Sequence, residues 1–435
     1  MPLADRLIWL FIRGTRDLMS EAKVVTLGCR LNTYESEVMR KNAREAGLEN
    51  AIIINTCAVT GEAVRQARQT IRKMRKSDPN AKIIVTGCAA QIDPEAFAEM
   101  EEVDRVIGNK EKLEVESFLP ERTELIEVTD IMQVRETANH LIDGFDGHTR
   151  AFIEVQQGCD HRCTFCIIPF GRGPNRSVSI GEIVDRVKNL VERGYKEVVL
   201  TGVDVTSYGP DLPGKPTFGQ MVRRVLSNVP ELPRLRLSSL DPAAIDADLL
   251  EVIARESRLM PHFHLSLQSG EDMILKRMKR RHTIADAISL CDKIRMLRPD
   301  AVFGADLIAG FPTETDEMFA TTLETLDRCG ITFAHVFPFS PREGTPAARM
   351  PQVPGAIRKQ RAARIRALGD AALDDFMASR LNKTVSVLVE KNNAGHCEHY
   401  CPVQLTSAAE AGQIVSAKIT GIQDGSLIGE IISHD

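Results

Sequence analysis

Gly158-Cys159-Asp160-His161-Arg162-Cys163-Thr164-Phe165-Cys166 follows directly on residues 151–156 (AFIEVQ), an apolar run that reads as a strand. The spacing is C-x3-C-x2-C. Three thiolates within the eight residues 159–166 can wrap one metal centre from a single loop. A [4Fe–4S] cluster normally takes four cysteines, so three leave one iron open to another ligand. Zinc wants four protein ligands, usually as two separated pairs, and no second pair follows at zinc spacing. His161 is placed to serve as a fourth ligand, but we read it as an exposed loop residue.

Five more strand-like runs follow at intervals filled by amphipathic helical stretches. They are 197–200 (EVVL), 234–239 (RLRLSS), 262–268 (HFHLSLQ), 302–308 (VFGADLI) and 334–339 (AHVFPF). Six strands alternating with helices predict an open, partial (β/α)6 barrel over residues 145–375. Asp204, Gln268, Asp306 and Glu314 fall at or near strand ends, with Arg281 between two strands. For each, helix capping or a surface ion pair is the plain alternative to ligand contact.

Residues 21–135 repeat a different pattern. The runs 23–27 (KVVTL), 51–54 (AIII) and 82–85 (KIIV) each lead into a cysteine, at Cys29, Cys57 and Cys88. Such apolar runs predict strands buried on both faces, with helices near 34–46 and 61–76 after the first two. The cysteines lie 28 and 31 residues apart, about one strand–helix–strand unit. A right-handed parallel sheet of such units brings all three thiols to its carboxyl edge, where open α/β sheets bind ligands. A single cysteine after a strand is usually a small buried hydrophobe. Three at one structural offset point instead to metal: a cluster with one open iron, or zinc completed by a ligand from elsewhere.

The remaining features set bounds. At 435 residues the chain predicts two or three domains, and its 43% apolar and 26% charged content is that of a soluble globular protein. The net charge of −5 announces no nucleic-acid partner, so any such surface must be local. Ten cysteines, three of them in one tight cluster, suit a reducing cytosol and metal ligation better than disulfides. The apolar stretch 7–12 (LIWLFI) is too short to span a membrane or to form a signal-peptide core. Residues 1–20 read as an extension or a mis-called start, and the protein as cytoplasmic.

C-x3-C-x-aromatic-C after the first strand of a partial barrel resembles the radical S-adenosylmethionine (SAM) superfamily. The resemblance implies that Cys159, Cys163 and Cys166 hold a [4Fe–4S] cluster whose open iron is chelated by S-adenosylmethionine. One electron then cleaves the sulfonium and yields a 5′-deoxyadenosyl radical. Asp204 lies in the segment where that superfamily usually contacts the methionine amino group, and Gln268, Arg281 and Asp306 are further candidate contacts. A three-cysteine α/β domain ahead of this motif resembles the methylthiotransferase family, over nearly the whole chain from about residue 21. There the amino-terminal cysteines, here Cys29, Cys57 and Cys88, hold a second [4Fe–4S] cluster associated with sulfur delivery. The phrases TLGCRLNTYESE (26–37), INTCAVT (54–60), VTGCAAQ (85–91), CIIPFGRG (166–173) and SPREGTPAA (340–348) look like the threonylcarbamoyladenosine tRNA branch. Arg176-Ser177-Val178 departs from the family, which often has a second arginine there.

That branch implies attachment of a methylthio group to carbon 2 of N6-threonylcarbamoyladenosine, in the tRNA anticodon loop. It also implies an electron donor such as flavodoxin or ferredoxin. The near rivals use the same chemistry on isopentenyladenosine tRNA or on an aspartate of a small-subunit ribosomal protein. From other classes come a non-catalytic, RNA-binding iron–sulfur protein and a zinc-stabilised RNA-binding module.

Basic runs at 61–82, 274–298 and 355–370 are candidates for phosphate contact, with a solvated helix face as the ordinary alternative. Residues 376–435 alternate like a small β-barrel over 384–390, 403–406, 414–422 and 427–432, and resemble the TRAM domain, an OB-like module associated with RNA binding. With four Lys/Arg against six Asp/Glu and only Phe376 and Tyr400 aromatic, the tail offers little stacking platform or electrostatic funnel. His396-Cys397-Glu398-His399-Tyr400-Cys401 has awkward spacing for zinc and reads as a hairpin loop. Cys291 and Cys329 read as core thiols.

Overall fold

A computed structural model of the chain describes residues 21–135 and 149–434; the proposed extension 1–20 and the stretch 136–148 lie outside them. These residues form two compact units. One takes 21–135 with 157–161 and 166–174; the other takes 149–156, 162–165 and 175–434.

The first unit is a parallel sheet in strand order β1-β2-β3-β4-β5, comprising Lys23–Thr26, Ala51–Thr56, Lys82–Gly87, Arg105–Ile107 and Ile126–Glu127. Chain order equals sheet order, so each strand lies beside the next one in sequence. Sequence patterning predicts the first three strands. The last two have only three and two residues, too few to show any period. β2 is buried along its whole length, which accounts for its uninterrupted Ala-Ile-Ile-Ile. Helix Gly61–Ser77 starts where the Thr60 side chain accepts from the Ala63 amide at 3.1 Å. It buries only Ala67, Ile71 and Met74, a narrow stripe that leaves its basic residues largely outward.

The second unit contains the six parallel strands that the sequence predicts. β6 (Arg150–Gln157), β8 (Glu197–Gly202) and β9 (Arg234–Leu237) form one sheet, which the two-residue β7 (Arg176–Ser177) extends. β10 (His262–Gln268), β11 (Val302–Ala309) and β12 (Ile331–Pro338) form another. Parallel bridges Leu235↔Leu259 and Leu240↔Leu265 connect the two. Capping boxes at Ser179/Glu182, Thr217/Gln220 and Thr283/Asp286 start three of the covering helices. This is the (β/α) alternation expected of the barrel.

The tail of the second unit closes into a five-stranded barrel, β13-β14-β15-β17-β16. Its strands are Thr384–Lys391, Ala394–Cys397, Pro402–Leu405, Ile414–Gln423 and Ser426–His434. β14 corrects the reading of the 396–401 stretch as loop throughout. Ala394, Gly395 and His396 pair with Gln404, Val403 and Pro402, so only the turn after Cys397 lies outside the strands. Cys397 and Cys401 are fully buried with Val385, Val387, Val403 and Leu427.

A buried charge network joins this tail to the barrel strands. Glu197 is fully buried, with the guanidinium groups of Arg150 at 2.8 Å, Arg236 at 2.9 Å and Arg234 at 3.6 Å. Arg236 also donates to the carbonyls of Cys397 and Glu398, and Arg234 to Ser386 Oγ. The Tyr400 ring stacks on His262 and His396, with Arg150 and Arg236 over it. The His-Cys-Glu-His-Tyr-Cys stretch is therefore a structural joint. Burial alone would raise the Glu197 carboxyl, and the Arg236 and Arg150 charges instead bring it to about 2.

Candidate functional site

Within the first unit, Cys29 follows β1, Cys57 follows β2, and Cys88 opens a short helix directly after β3. The register Thr26↔Asn55 and Asn55↔Thr86 aligns the three strand ends. All three thiols thus lie at one carboxyl edge, as the spacing predicts. Gly87 makes the turn before Cys88 possible. Its φ is +96°, and a Cβ there would sit 2.3 Å from the Thr56 carbonyl oxygen.

Burial, and then the charges of Cys88 and Cys29, push the Cys57 thiol up to about 12. Three neighbouring sulfurs are held as thiolates together only when cations compensate them, and soft sulfur donors select iron–sulfur or zinc centres. The chain supplies part of that compensation itself. Arg172, in the helix Ile168–Arg172, points its Nε at Cys88 Sγ from 3.1 Å. The same guanidinium donates to Asn32 Oδ1 at 2.5 Å and to both oxygens of Glu35. Lys112 Nζ lies 2.7 Å from Glu35 Oε2, with both side chains at 0% exposure.

Arg172, Lys112 and Glu35 sum to one positive charge beside the three cysteines, which suits an anionic cluster. Burial opposes the charge on Arg172, but Cys88 and Glu35 more than offset this and hold it protonated. Burial likewise works against the Glu35 carboxylate, and Arg172 and Lys112 still bring it down to about 2. None of Glu35, Lys112 or Arg172 was singled out from the sequence. The available signals were Arg172 inside CIIPFGRG and Glu35 inside TLGCRLNTYESE.

The central loop carries the other three cysteines, each partly exposed. In the first unit, the Cys159 amide donates to Gly173 O at 3.0 Å. In the second, Thr164 bonds the carbonyls of Arg277 and Met278, and Ala347 donates to Thr164 O. Phe165 meets Phe311 edge-on at 6.5 Å and packs on Met278, Phe339 and Ala347. The aromatic residue of the motif thus anchors the loop that presents Cys163, whose Sγ lies 3.7 Å from Arg280. His161 is half-buried in this loop rather than exposed.

The remaining candidates have varied surroundings. The Asp204 carboxylate accepts from Thr206 and Ser207, while the Val203 and Asp204 amides donate to Gln156 Oε1 at 3.0 and 2.8 Å. Gln156, fully buried at the end of β6, fixes that segment and was missed in the sequence. Gln268 ends β10 in the left-handed region at φ +69°, a strained conformation common at functional sites. Arg281 reaches Asp241 at 3.1 Å, beside Arg280 and His282. Asp306 sits between His264 and His335. Glu314 is structural, bonded to the Gly310 amide and to buried Arg361.

The basic runs are partly consumed by the fold. Arg65 pairs with Glu62, and Arg75 with Asp104 and backbone carbonyls. Arg358, Arg361 and Arg366 bond carbonyls of the neighbouring loops and strand.

Comparison with known proteins places these features. The family "Radical SAM superfamily" matches residues 153–326, and "Uncharacterized protein family UPF0004" matches 21–108. A protein of Rickettsia prowazekii named threonylcarbamoyladenosine tRNA methylthiotransferase MtaB is 57% identical over 93% of this chain and 96% of its own. The chain belongs to the radical SAM methylthiotransferases. A Bacillus subtilis protein of the same name is 33% identical over 91% of this chain and 92% of its own. A tRNA-2-methylthio-N(6)-dimethylallyladenosine synthase of Shouchella clausii is 33% identical over 94% and 83%. Among solved structures, the radical SAM methyltransferase TsrM of Kitasatospora setae shares the fold, with TM-score 0.54 and 15% identity over 76% and 77% of the two chains. Methylthiotransferases of this family are transferases that use a [4Fe–4S] cluster and S-adenosylmethionine. Among the described residues no helix is long and apolar enough to cross a membrane.

Proposed function

We propose that this methylthiotransferase attaches a methylthio group to carbon 2 of N6-threonylcarbamoyladenosine beside the tRNA anticodon. The observation that carries the substrate is the 57% identity to the Rickettsia relative of that name, against 33% to the dimethylallyladenosine synthase.

Cys159, Cys163 and Cys166 would hold one [4Fe–4S] cluster, and Cys29, Cys57 and Cys88 a second. When bound, these groups and S-adenosylmethionine supply a 5′-deoxyadenosyl radical, sulfur and a methyl group. The chain's own residues bind and orient. Gln156 fixes the backbone at 203–204, and with Gln268 and Arg281 that segment is the proposed surface for S-adenosylmethionine; Asp306, the fourth candidate from the sequence, is held between His264 and His335 and is left out of that surface. Arg172, Lys112 and Glu35 set the charge around the second cysteine triad. The adenine must leave its stack to reach a buried radical, which is easiest in a loop. The small closed barrel of the tail is proposed as a TRAM-type, OB-like module that orients tRNA by shape, with exposed lysines and arginines supplying attraction. A cytoplasmic setting and a flavodoxin or ferredoxin as electron donor complete the reading.

Nucleoside analysis of tRNA from a deletion strain tests it. Loss of 2-methylthio-threonylcarbamoyladenosine, with the unmethylthiolated nucleoside in its place, is the expected result; an unchanged profile would sink the proposal.

A further inference from the structure

β10, β11 and β12 each present one face to the covering helices and one to the barrel interior. Phe263, Leu265, Leu267, Phe303, Ala305 and Leu307 fill the helix-facing side and are essentially fully buried. Ala334 lies on that side too, close against Gly369 of the helix Gly355–Ala378. Alternation along a strand therefore turns His264, Asp306 and His335 inward. The register pairs Gly304 with His264 and Asp306 with His335, bringing the three side chains into one patch.

Within that patch, His264 Nε2 lies 3.1 Å and His335 Nδ1 3.6 Å from the same oxygen, Asp306 Oδ1. Ser239 Oγ donates to the other oxygen at 3.4 Å. The two imidazoles are 4.6 Å apart. Gly304 leaves room for His264: a Cβ there would stand 2.4 Å from its Nδ1. Exposure rises from 8% at His264 through 24% at Asp306 to 50% at His335. His335, on the inward face of the edge strand β12, thus keeps half its side chain open to solvent. Burial opposes the Asp306 charge, yet His264 and His335 hold its carboxyl well below the usual carboxylate range.

Resting on the substrate reading above, we propose that this patch receives the threonylcarbamoyl group. His335 donates from Nε2 to the threonine carboxylate, and Asp306 accepts from the ureido N–H or the hydroxyl. The chemistry selects between substrates. An isopentenyl tail would displace water from a carboxylate and two imidazoles and offer no hydrogen bond in return, a cost that polar partners remove. The threonylcarbamoyl group brings one anion and several hydrogen-bonding atoms, matching two donors around one acceptor.

The test uses the anaerobically reconstituted holoenzyme and two anticodon stem-loop RNAs. One carries threonylcarbamoyladenosine; the other has its threonine carboxylate replaced by the primary amide. Wild type should prefer the acid by about tenfold or more in kcat/KM, the scale of one charge-assisted hydrogen bond. His335→Ala should raise KM for the acid substrate and collapse this preference toward one, while His335→Gln, which keeps a neutral donor, should retain part of it. An equal loss on both RNAs, or an unchanged preference in His335→Ala, would overturn the proposal. So would a divalent metal in excess of cluster iron that purifies with wild type and is lost in His335→Ala, because two histidines and a carboxylate also suit such an ion. A wild-type enzyme inactive on the threonylcarbamoyl RNA, yet active on isopentenyladenosine RNA, would overturn the substrate reading itself and this proposal with it.

Discussion

Glu35→Gln removes the only acid from a buried group of one carboxylate and two cations. The wild-type carboxylate is fully buried and is met by Arg172, by Lys112 at 2.7 Å and by Gln157 at 3.1 Å. Its fall from an ordinary 4.5 to about 2 corresponds to ~3 kcal/mol of stabilisation. Removing one partner of a buried pair costs roughly 3–5 kcal/mol, because the other charges stay buried and unpaired. Both routes lead to a loss of several kcal/mol. The folded-state value lies below the unfolded one, so the contribution is fully present above pH 4.5 and is lost as pH falls toward about 2. Anaerobic thermal unfolding of wild type and variant at pH 7, and again at successively lower pH, reads the effect. Glu35→Gln should melt well below wild type at pH 7, with the gap narrowing below pH 4.5. Equal melting at pH 7, or a gap that widens in acid, would refute the electrostatic account.

Three further substitutions probe other parts of the structure. Gly87→Ala should cost the second cluster its site, since the added Cβ meets Thr56 backbone at 2.3 Å; iron on anaerobic purification should drop from about eight to about four per chain. Glu197→Gln leaves three arginines around a neutral amide and should destabilise the barrel unit by roughly 3–5 kcal/mol, seen as a lower unfolding midpoint. Gln156→Leu strips the Val203 and Asp204 amides of their acceptor, and apparent affinity for S-adenosylmethionine should fall about tenfold; an unchanged value would remove that segment from the binding surface.

The positions of the cysteines were legible because chain spacing and strand length are local quantities. Intervals of 28 and 31 residues fit one crossover unit, and parallel strands joined by such units end at one edge. What surrounds them was not legible. Lys112 sits in Lys110-Glu111-Lys112-Leu113-Glu114, which reads as solvated, yet it is fully buried because a distant helix delivers Glu35 to it. Arg172 stands inside a recognised phrase, but its contact with Cys88 joins residues 84 apart in the chain. The basic runs mislead in the opposite direction, since charge density in sequence does not reveal that Arg75, Arg361 and Arg366 are occupied with carbonyls. His264 and His335 carry no signal in the sequence, because only strand register sets them around Asp306.

One competition assay bears most directly on the substrate. Reconstituted enzyme, reductant and S-adenosylmethionine are given equal amounts of stem-loop RNA carrying threonylcarbamoyladenosine and isopentenyladenosine, and the nucleosides are resolved by mass spectrometry. The account predicts methylthio product on threonylcarbamoyladenosine alone, and none with Cys163→Ala. Product on isopentenyladenosine, or on neither RNA, would contradict it.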